Sequence, residues 1–393
     1  MNKHILNTEV QEYIRQHLHL DPAQLALKKS PFSEVSSKEI AEQLAGKKTA
    51  EKKMPEWYAS AGIYFPPKLA MEQASSAQTA IYKSKLMEGK KIIDLSAGMG
   101  VDSYYFSKKA DWVWHVEKQA ELSAIATHNS EVLGAKNINF ITGDGIDYLR
   151  ETKEIWDTIY VDPSRRVAGK KVFKLSDCEP DVATLLDLFF EHATCVMIKT
   201  APLLDLTSGL NELRNVTDIH VLSVNNEVKE LLWILKRESS VAETKIHCVS
   251  LTSEVEQHFS FNISEEKAVN LPCYSDIKTY LYEPDTAWLK AACFKLIAQR
   301  YGVDKLHQHT HLYTSDVFKS EFPGRAFKVT EVNSYKEFSK SKEKRKANVI
   351  VRNFPITAPE LQKKHQIKDG GEQYLIFCKD QQADLKVISA KRI

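Results

Sequence analysis

Between Lys90 and about residue 200, five short apolar runs alternate with stretches of helical spacing: Ile92–Leu95, Trp112–Val116, Ile138–Ile141, Thr158–Val161 and Cys195–Ile198. Each run has the length of a strand, and each interval is too long for a hairpin but long enough for a helix. Strands joined by crossover helices form right-handed βαβ units, so this stretch predicts a parallel sheet in an α/β fold. The pattern then changes. Ile219–Val224 and Leu231–Leu235 flank Asn225-Asn226-Glu227-Val228, which leaves no room for a crossover helix. An antiparallel hairpin is therefore expected to close the sheet near residue 238.

Ligands of an open α/β sheet bind outside the carboxyl ends of the strands. Four loops fall on that edge. The first is Asp94-Leu95-Ser96-Ala97-Gly98-Met99-Gly100, where Gly98 and Gly100 lack Cβ and let the chain bend and a ligand approach. The second ends on Glu117, the third is Gly143-Asp144-Gly145-Ile146, and the fourth is Asp162-Pro163-Ser164-Arg165-Arg166. Taken singly, each acid has an ordinary use: Asp94 as a helix cap, Glu117 as a solvated strand end, Asp144 as a turn former. In register with five strands they form a set. Gly98-Met99-Gly100-Val101-Asp102-Ser103 also lies close to the dinucleotide fingerprint of nicotinamide dehydrogenases, and an acid about twenty residues on is common to both classes. The dinucleotide turn has no need of Asp94, however, and does not predict Asp162-Pro163.

The set resembles the class I S-adenosylmethionine-dependent methyltransferases over roughly residues 88–238. The resemblance implies a Rossmann-like seven-stranded sheet whose last strand is antiparallel, with S-adenosylmethionine as cofactor. It places Asp94, Ser96, Ala97, Gly98 and Gly100 in the loop at the cofactor's methionine end, with Ser96 where the family often has its first glycine. Glu117 would meet the ribose, and Asp144, Gly145 and Ile146 the adenine. Asp162-Pro163-Ser164-Arg165 resembles the (Asp/Asn)-Pro-Pro-(aromatic) motif of amino-group methyltransferases, in which the acid and a prolyl carbonyl accept hydrogens from the attacked amine, so that positioning carries most of the rate. Asp162 and Pro163 match. Ser164 and Arg165 do not, so the stacking aromatic is missing; Arg165 could stack on a base or grip a phosphate. Surface salt bridges are the alternative use of Arg165 and Arg166.

RNA 5-methyluridine enzymes carry a catalytic cysteine after the next strand. Here that place reads Ile198-Lys199-Thr200-Ala201-Pro202, without one. Cys195 is expected in the core; Lys199 could reach the site, with an exposed strand-end lysine as the default expectation. His128-Asn129, with Gly134, Asn137, Phe140 and Gly143-Asp144, looks like the second-to-third-strand pattern of RNA methyltransferases, where Asn129 is expected to bond nearby backbone.

Residues 1–87 read as a helical region, including one helix over Leu69–Met87 that contains Ser75 and Ser76. Residues 88–240 are the methyltransferase domain and 241–325 a small α+β domain, ferredoxin-like in expectation, with a helix over Trp288–Gln299 ending near Gly302. Residues 326–393 form a basic unit, read as strand (Ala347–Phe354), helix (Ala358–Gln366) and two strands (Gln373–Cys378, Leu385–Ala390). Thr357 and Glu360 make a capping box at the start of that helix. From Lys328 onward there are 15 Lys plus Arg against 8 Asp plus Glu, a balance of +7 in a chain whose total is +2, so the remainder carries −5. A basic end on a mildly acidic body suits a polyanionic partner.

The whole arrangement resembles the bacterial methyltransferases with a THUMP-like C-terminal domain. The residues carrying this are Met71-Glu72-Gln73-Ala74-Ser75-Ser76, Tyr282-Glu283-Pro284-Asp285, Leu306-His307, Leu312-Tyr313-Thr314-Ser315, Asn348–Pro355 and Lys368-Asp369-Gly370-Gly371. The family implies an RNA partner, tRNA or rRNA. Lys344, Arg345, Lys346, Arg352, Lys363 and Lys364 would neutralise phosphates, with Phe354 as a stacker. A lysine-rich solvated face with Phe354 in the core is the alternative. The reaction expected is methylation of a base amino nitrogen; methylation of a small molecule or protein, or a non-catalytic RNA-binding scaffold, are the other readings. No apolar run approaches the ~20 residues of a membrane span, and Met1-Asn2-Lys3-His4-Ile5-Leu6 has no export pattern. The six scattered cysteines (Cys178, Cys195, Cys248, Cys273, Cys293, Cys378) form no metal-binding pair and fit a cytoplasmic protein.

Overall fold

The computed structural model describes residues 1–165, 174–238, 242–252, 255–270, 274–341 and 343–393, with the side chain of Arg165 excepted. Arg166 and Cys273, named above, lie outside these residues. The chain divides into two compact units, residues 1–219 with 230–242, and residues 220–229 with 243–393.

The first unit is built on β1 (Lys91–Asp94), β2 (Trp112–Glu117), β3 (Ile138–Thr142), β4 (Trp156–Val161), β5 (Ala193–Thr200), β6 (Val216–Val224) and β7 (Glu227–Lys236). They lie in the order β3-β2-β1-β4-β5-β7-β6. The first five are parallel and β7 runs antiparallel to β5. This is the seven-strand order expected, but the sheet does not stop there: two further strands, Lys245–Leu251 and Glu256–Asn262, continue it beyond β6 to nine. The β6–β7 turn places Asn225 and Asn226 at φ of +51° and +64°, the left-handed conformation that asparagine tolerates and a two-residue hairpin needs. The hairpin tip, His220–Lys229, groups with the second unit.

Helices α1 (Ser37–Lys53), α2 (Lys68–Gln73) and α3 (Ala77–Leu86) precede the sheet; α4 (Val101–Ser107), α5 (Ala120–Val132) and α6 (Gly145–Glu151) follow β1, β2 and β3. The single helix expected over Leu69–Met87 is two. Ser76 has extended backbone and its hydroxyl accepts from the N–H of Thr79 at 3.2 Å, so it caps α3 where an uninterrupted helix was expected. Trp57, Phe65 and Met71 pack with Val101, Tyr104 and Tyr105 of α4, fixing the N-terminal helical region to that helix. Asn129 of α5 takes the structural part expected of it. It is buried, its carbonyl accepts from Tyr64 N–H at 2.9 Å, and its amide donates to Tyr64 C=O at 2.9 Å.

In the second unit β8 (Lys245–Leu251) and β9 (Glu256–Asn262) pair antiparallel. A further sheet contains β10 (Tyr280–Pro284), β11 (Asp304–Lys305), β12 (Tyr313–Ser315), β13 (Gly324–Ser334), β14 (Asn348–Arg352), β15 (Gln373–Lys379) and β16 (Leu385–Arg392). Its order is β11-β12-β10-β13-β16-β15-β14, with only β14 and β15 parallel. The sheet runs unbroken through residue 325, because β13 lies between β10 and β16. The helix expected over Trp288–Gln299 is also two, Thr286–Lys290 and Phe294–Tyr301, interrupted where Ala292 takes a φ of +57°. Gly302 ends it in the left-handed conformation, as its position suggested. Asp285 accepts from the hydroxyls of Ser223 and Ser250 at 2.5 and 3.0 Å, and Glu283, buried, is clamped by Arg325 and Arg352. Thr357 and Glu360 form their capping box. Among the described residues no helix is long and apolar enough to cross a membrane.

Candidate active site

The parallel register of β1, β2, β3 and β4 brings the four loops to one edge of the sheet. After β1 the chain crosses toward β2: Leu95 N–H donates to Tyr160 C=O at 3.0 Å and Ala97 N–H to Val116 C=O at 3.1 Å. Gly98 and Gly100 then take φ of +56° and +84°. A Cβ on Gly98 would meet nothing within 4 Å, so the backbone here borders open space. A Cβ on Gly145 would lie 2.5 Å from the carbonyl oxygen of Leu95, so the third loop approaches the first to a distance only glycine permits.

Glu117 sits at the end of β2 with one carboxylate oxygen accepting from Gly98 N–H at 2.9 Å and the other from Gln119 N–H at 2.8 Å. Asp144 caps α6, one oxygen accepting from the N–H of Ile146 at 2.9 Å and of Asp147 at 3.3 Å; Ile146 is half-buried beside it. Asp94 lies deeper. It is fully buried and accepts from Ser96 N–H at 3.2 Å and from the Ser103 hydroxyl at 2.8 Å. Burial, and then the charge of Asp102, push its carboxyl up to about 8. Behind it His115, buried, stays neutral: burial lowers it to about 3, and its Nδ1 meets the Ser103 hydroxyl at 3.2 Å.

Ser96 fastens the first loop to the fourth. Its hydroxyl accepts from the backbone N–H of Asp162 at 2.7 Å. Asp162 and Pro163 are half-buried at the end of β4, and Ser164, exposed, donates weakly to Glu179 C=O at 3.3 Å. The backbone of Arg165 pairs with Cys178 in a two-residue ladder.

Lys199 corrects the expectation of a free strand end. It ends β5 with its side chain 14% exposed and its ammonium on Asp162 Oδ2, whose own side chain is 34% exposed. Burial works against its charge, but the carboxylates of Asp162, Glu230 and Asp102 outweigh that and hold the ammonium above the ordinary lysine range. Cys195, by contrast, is fully buried in β5 as expected, and burial pushes its thiol up to about 12. A second ammonium was missed altogether. Lys83 of α3 is fully buried, 2.9 Å from Asp102, 3.4 Å from Glu230 and 2.6 Å from the Ser75 hydroxyl, with Tyr160 OH at 3.3 Å. The only local signal was Ser75-Ser76, which breaks the helix and turns Ser75 inward.

In the second unit Lys344, Lys346, Lys363 and Lys364 are exposed. Arg345 is half-buried with its guanidinium over the Phe338 ring at 4.5 Å. Arg352 spends its charge on Glu283. Phe354 packs on Tyr335 and Phe377, with ring centroids 5.1 and 5.5 Å away, at the margin of a core cluster.

Comparison with known proteins matches residues 280–323 to a ferredoxin-like domain family and residues 324–392 to a THUMP domain-like family. A crystal structure from Porphyromonas gingivalis W83, provisionally named a methyltransferase, has a TM-score of 0.86 at 32% identity over 99% of this chain and 98% of its own. A protein of Mycoplasma mobile named an uncharacterized RNA methyltransferase is 36% identical over 86 residues, 22% of this chain and 24% of its own length. One from Mycobacterium tuberculosis H37Rv, named an uncharacterized S-adenosylmethionine-dependent methyltransferase, is 25% identical over 172 residues, 42% of this chain and 44% of its own length. The match therefore spans a quarter and under half of these two curated relatives.

Proposed function

The chain belongs to the bacterial family of S-adenosylmethionine-dependent methyltransferases with a THUMP-like C-terminal domain, and from that membership we propose that it methylates a structured RNA, tRNA or rRNA. The residues at the strand edge suit the cofactor. The backbone at Gly98 borders open space, Glu117 offers an acid at the end of β2, and Asp144 has a second carboxylate oxygen beside the one that caps α6. Bound there, S-adenosylmethionine supplies an electrophilic methyl group. Asp94 and Ser103 hold the loop from beneath.

The observation that carries the reading is the Ser96–Asp162 hydrogen bond, which fixes the acceptor loop to the cofactor loop. Asp162 then orients the attacking atom, because a positioned acceptor converts an encounter into a unimolecular step. The finer expectation, a base amino nitrogen, needs a carboxylate oxygen free to accept the amine's hydrogens. Lys199 occupies Oδ2, and among the described residues no hydrogen bond is made to Oδ1, which is proposed for that purpose. Lys344, Lys346, Lys363 and Lys364 are the proposed phosphate contacts, with Arg345 and Arg352 already engaged within the fold.

Mass spectrometry of nucleosides from total RNA, with and without this protein, tests the reading. One methylated nucleoside should disappear with the gene and return with the purified chain; identical nucleoside profiles sink it. Truncation at residue 326 is a poor test of docking, since β13 to β16 supply four strands of a seven-stranded sheet. Lys344→Glu with Lys363→Glu is better, and should weaken RNA binding while S-adenosylmethionine binding holds.

A further inference from the structure

Five side chains, four of them from distant parts of the chain, converge behind and beside Asp162. Lys199 contacts it directly. Glu230 of β7 is buried and lies in the fields of both Lys199 and Lys83, which partly offset the upward push of burial on its carboxyl. Lys83 is held by Asp102 and Glu230 with no access to solvent. Asp102 is kept charged: burial opposes it, and the ammonium groups of Lys83 and Lys199 bring its carboxyl below the ordinary range. Tyr160 OH donates to Asp102 at 3.1 Å, completing the set.

We infer that the acceptor atom is a ribose 2′-hydroxyl of the RNA, with Asp162 and Lys199 as its catalytic pair and Lys83 and Glu230 as the positioning residues that hold Lys199. The inference rests on the RNA reading and replaces the base amino nitrogen expected from sequence with a different acceptor atom. It stands first on the sign of the charge that develops. An amine attacking a methyl group becomes positive at nitrogen, and a fixed ammonium beside it opposes that change. A hydroxyl losing its proton becomes negative at oxygen, and the same ammonium stabilises it, as preorganised charges do at developing oxyanions.

An acceptor placed against the free Oδ1 of Asp162 meets Lys199 as well, because Lys199 is already bound to Oδ2 of the same carboxylate. The step balances. The hydroxyl oxygen forms a bond to the methyl carbon as the carbon–sulfur bond breaks and its electron pair stays on sulfur. The hydroxyl proton passes to Asp162, acting as general base. A methyl ether and a neutral thioether result, and the proton leaves to solvent.

Two further features agree. Residue 165, where amino-group enzymes stack the target base on an aromatic ring, is an arginine, and residue 164, in place of their second proline, is a serine bonded to Glu179. Lys83 has nothing to do in an amine mechanism, yet its ammonium is buried at the price of desolvation. Here it balances Asp102 and Glu230, which would otherwise compete with Asp162 for Lys199.

The test uses the full chain, S-adenosylmethionine labelled in the methyl group, and total RNA from cells lacking the gene. A 2′-O-methyl group blocks alkaline cleavage of the adjoining phosphodiester, so the label should appear in alkali-resistant dinucleotides. Lys199→Met should lower kcat by about 10²- to 10³-fold, the scale of losing one preorganised charge at an oxyanion, while S-adenosylmethionine affinity changes little. Lys199→Arg, which keeps the cation, should restore part of the rate. Lys83→Met should lower kcat with KM for RNA unchanged. Label recovered in mononucleotides, on a base, overturns the inference and leaves the RNA reading standing. No label in RNA overturns that reading and the inference with it. Full activity of folded Lys199→Met, shown by retained cofactor binding, also overturns the inference.

Discussion

The Ser96 hydroxyl lies 2.7 Å from the backbone nitrogen of Asp162, and this bond joins two loops that are 66 residues apart in sequence. Ser96 occupies the position where related loops often carry glycine. Glycine there would free the turn but could not reach the fourth loop. The serine instead couples the geometry of the loop proposed to hold the methyl donor to that of the proposed acceptor carboxylate.

Replacing Ser96 by Gly therefore acts on turnover. The bond is worth about 1 kcal/mol, and spent on positioning it corresponds to roughly a fivefold fall in kcat. S-adenosylmethionine affinity, measured by calorimetry, should change little. An unchanged kcat would show that the acceptor loop is held by other means.

Gly145→Ala should act on affinity instead. The added methyl would lie 2.5 Å from Leu95 C=O, a backbone atom at the head of the cofactor loop. Such overpacking costs about 1–3 kcal/mol, and the loop must shift to relieve it. The expected result is weaker S-adenosylmethionine binding; wild-type affinity would mean that the third loop yields first.

Asp94 gives the first unit a pH signature. Burial and the neighbouring Asp102 charge raise its carboxyl from 3.8 to about 8. The folded state thus binds a proton that the unfolded chain releases. Its contribution to stability is fully present below about pH 4 and is lost as pH rises through about 8. Asp94→Asn keeps both hydrogen bonds, since the amide can donate to Ser103 and Ser103 to His115. Denaturation midpoints of the two proteins should diverge between pH 5 and 8 in favour of the variant and run parallel above that range. Parallel curves throughout would place the carboxyl in the ordinary range.

Asn129→Ala would strand the backbone N–H and C=O of Tyr64 in the interior. Two buried groups left unsatisfied cost about 2 to 4 kcal/mol together. Urea denaturation should show that loss, and loss below half that size would mean that water reaches Tyr64.

What could be seen beforehand follows the range of the forces involved. The alternation of apolar runs, the Asn225-Asn226 turn, the Thr357 capping box and the left-handed stop at Gly302 are settled by neighbours a few residues away, and sequence shows them. Two helices expected as one show where that reading thins out. Ser76 can sit inside a helix or cap one, and periodicity does not choose between them. Ala292 has no local reason to break a helix.

By itself, the sequence determined the α/β class, the strand-edge position of Asp94, Glu117, Asp144 and Asp162, and the core placement of Cys195. Periodicity and strand-end position are local properties, and burial of apolar runs then follows. Only the tertiary structure decided what the charges do. Lys83, Asp102, Lys199 and Glu230 are ordinary surface residues in a string of letters. A lysine becomes a buried, paired cation only when carboxylates from other strands arrive to offset its desolvation, and that balance exists only in the folded chain.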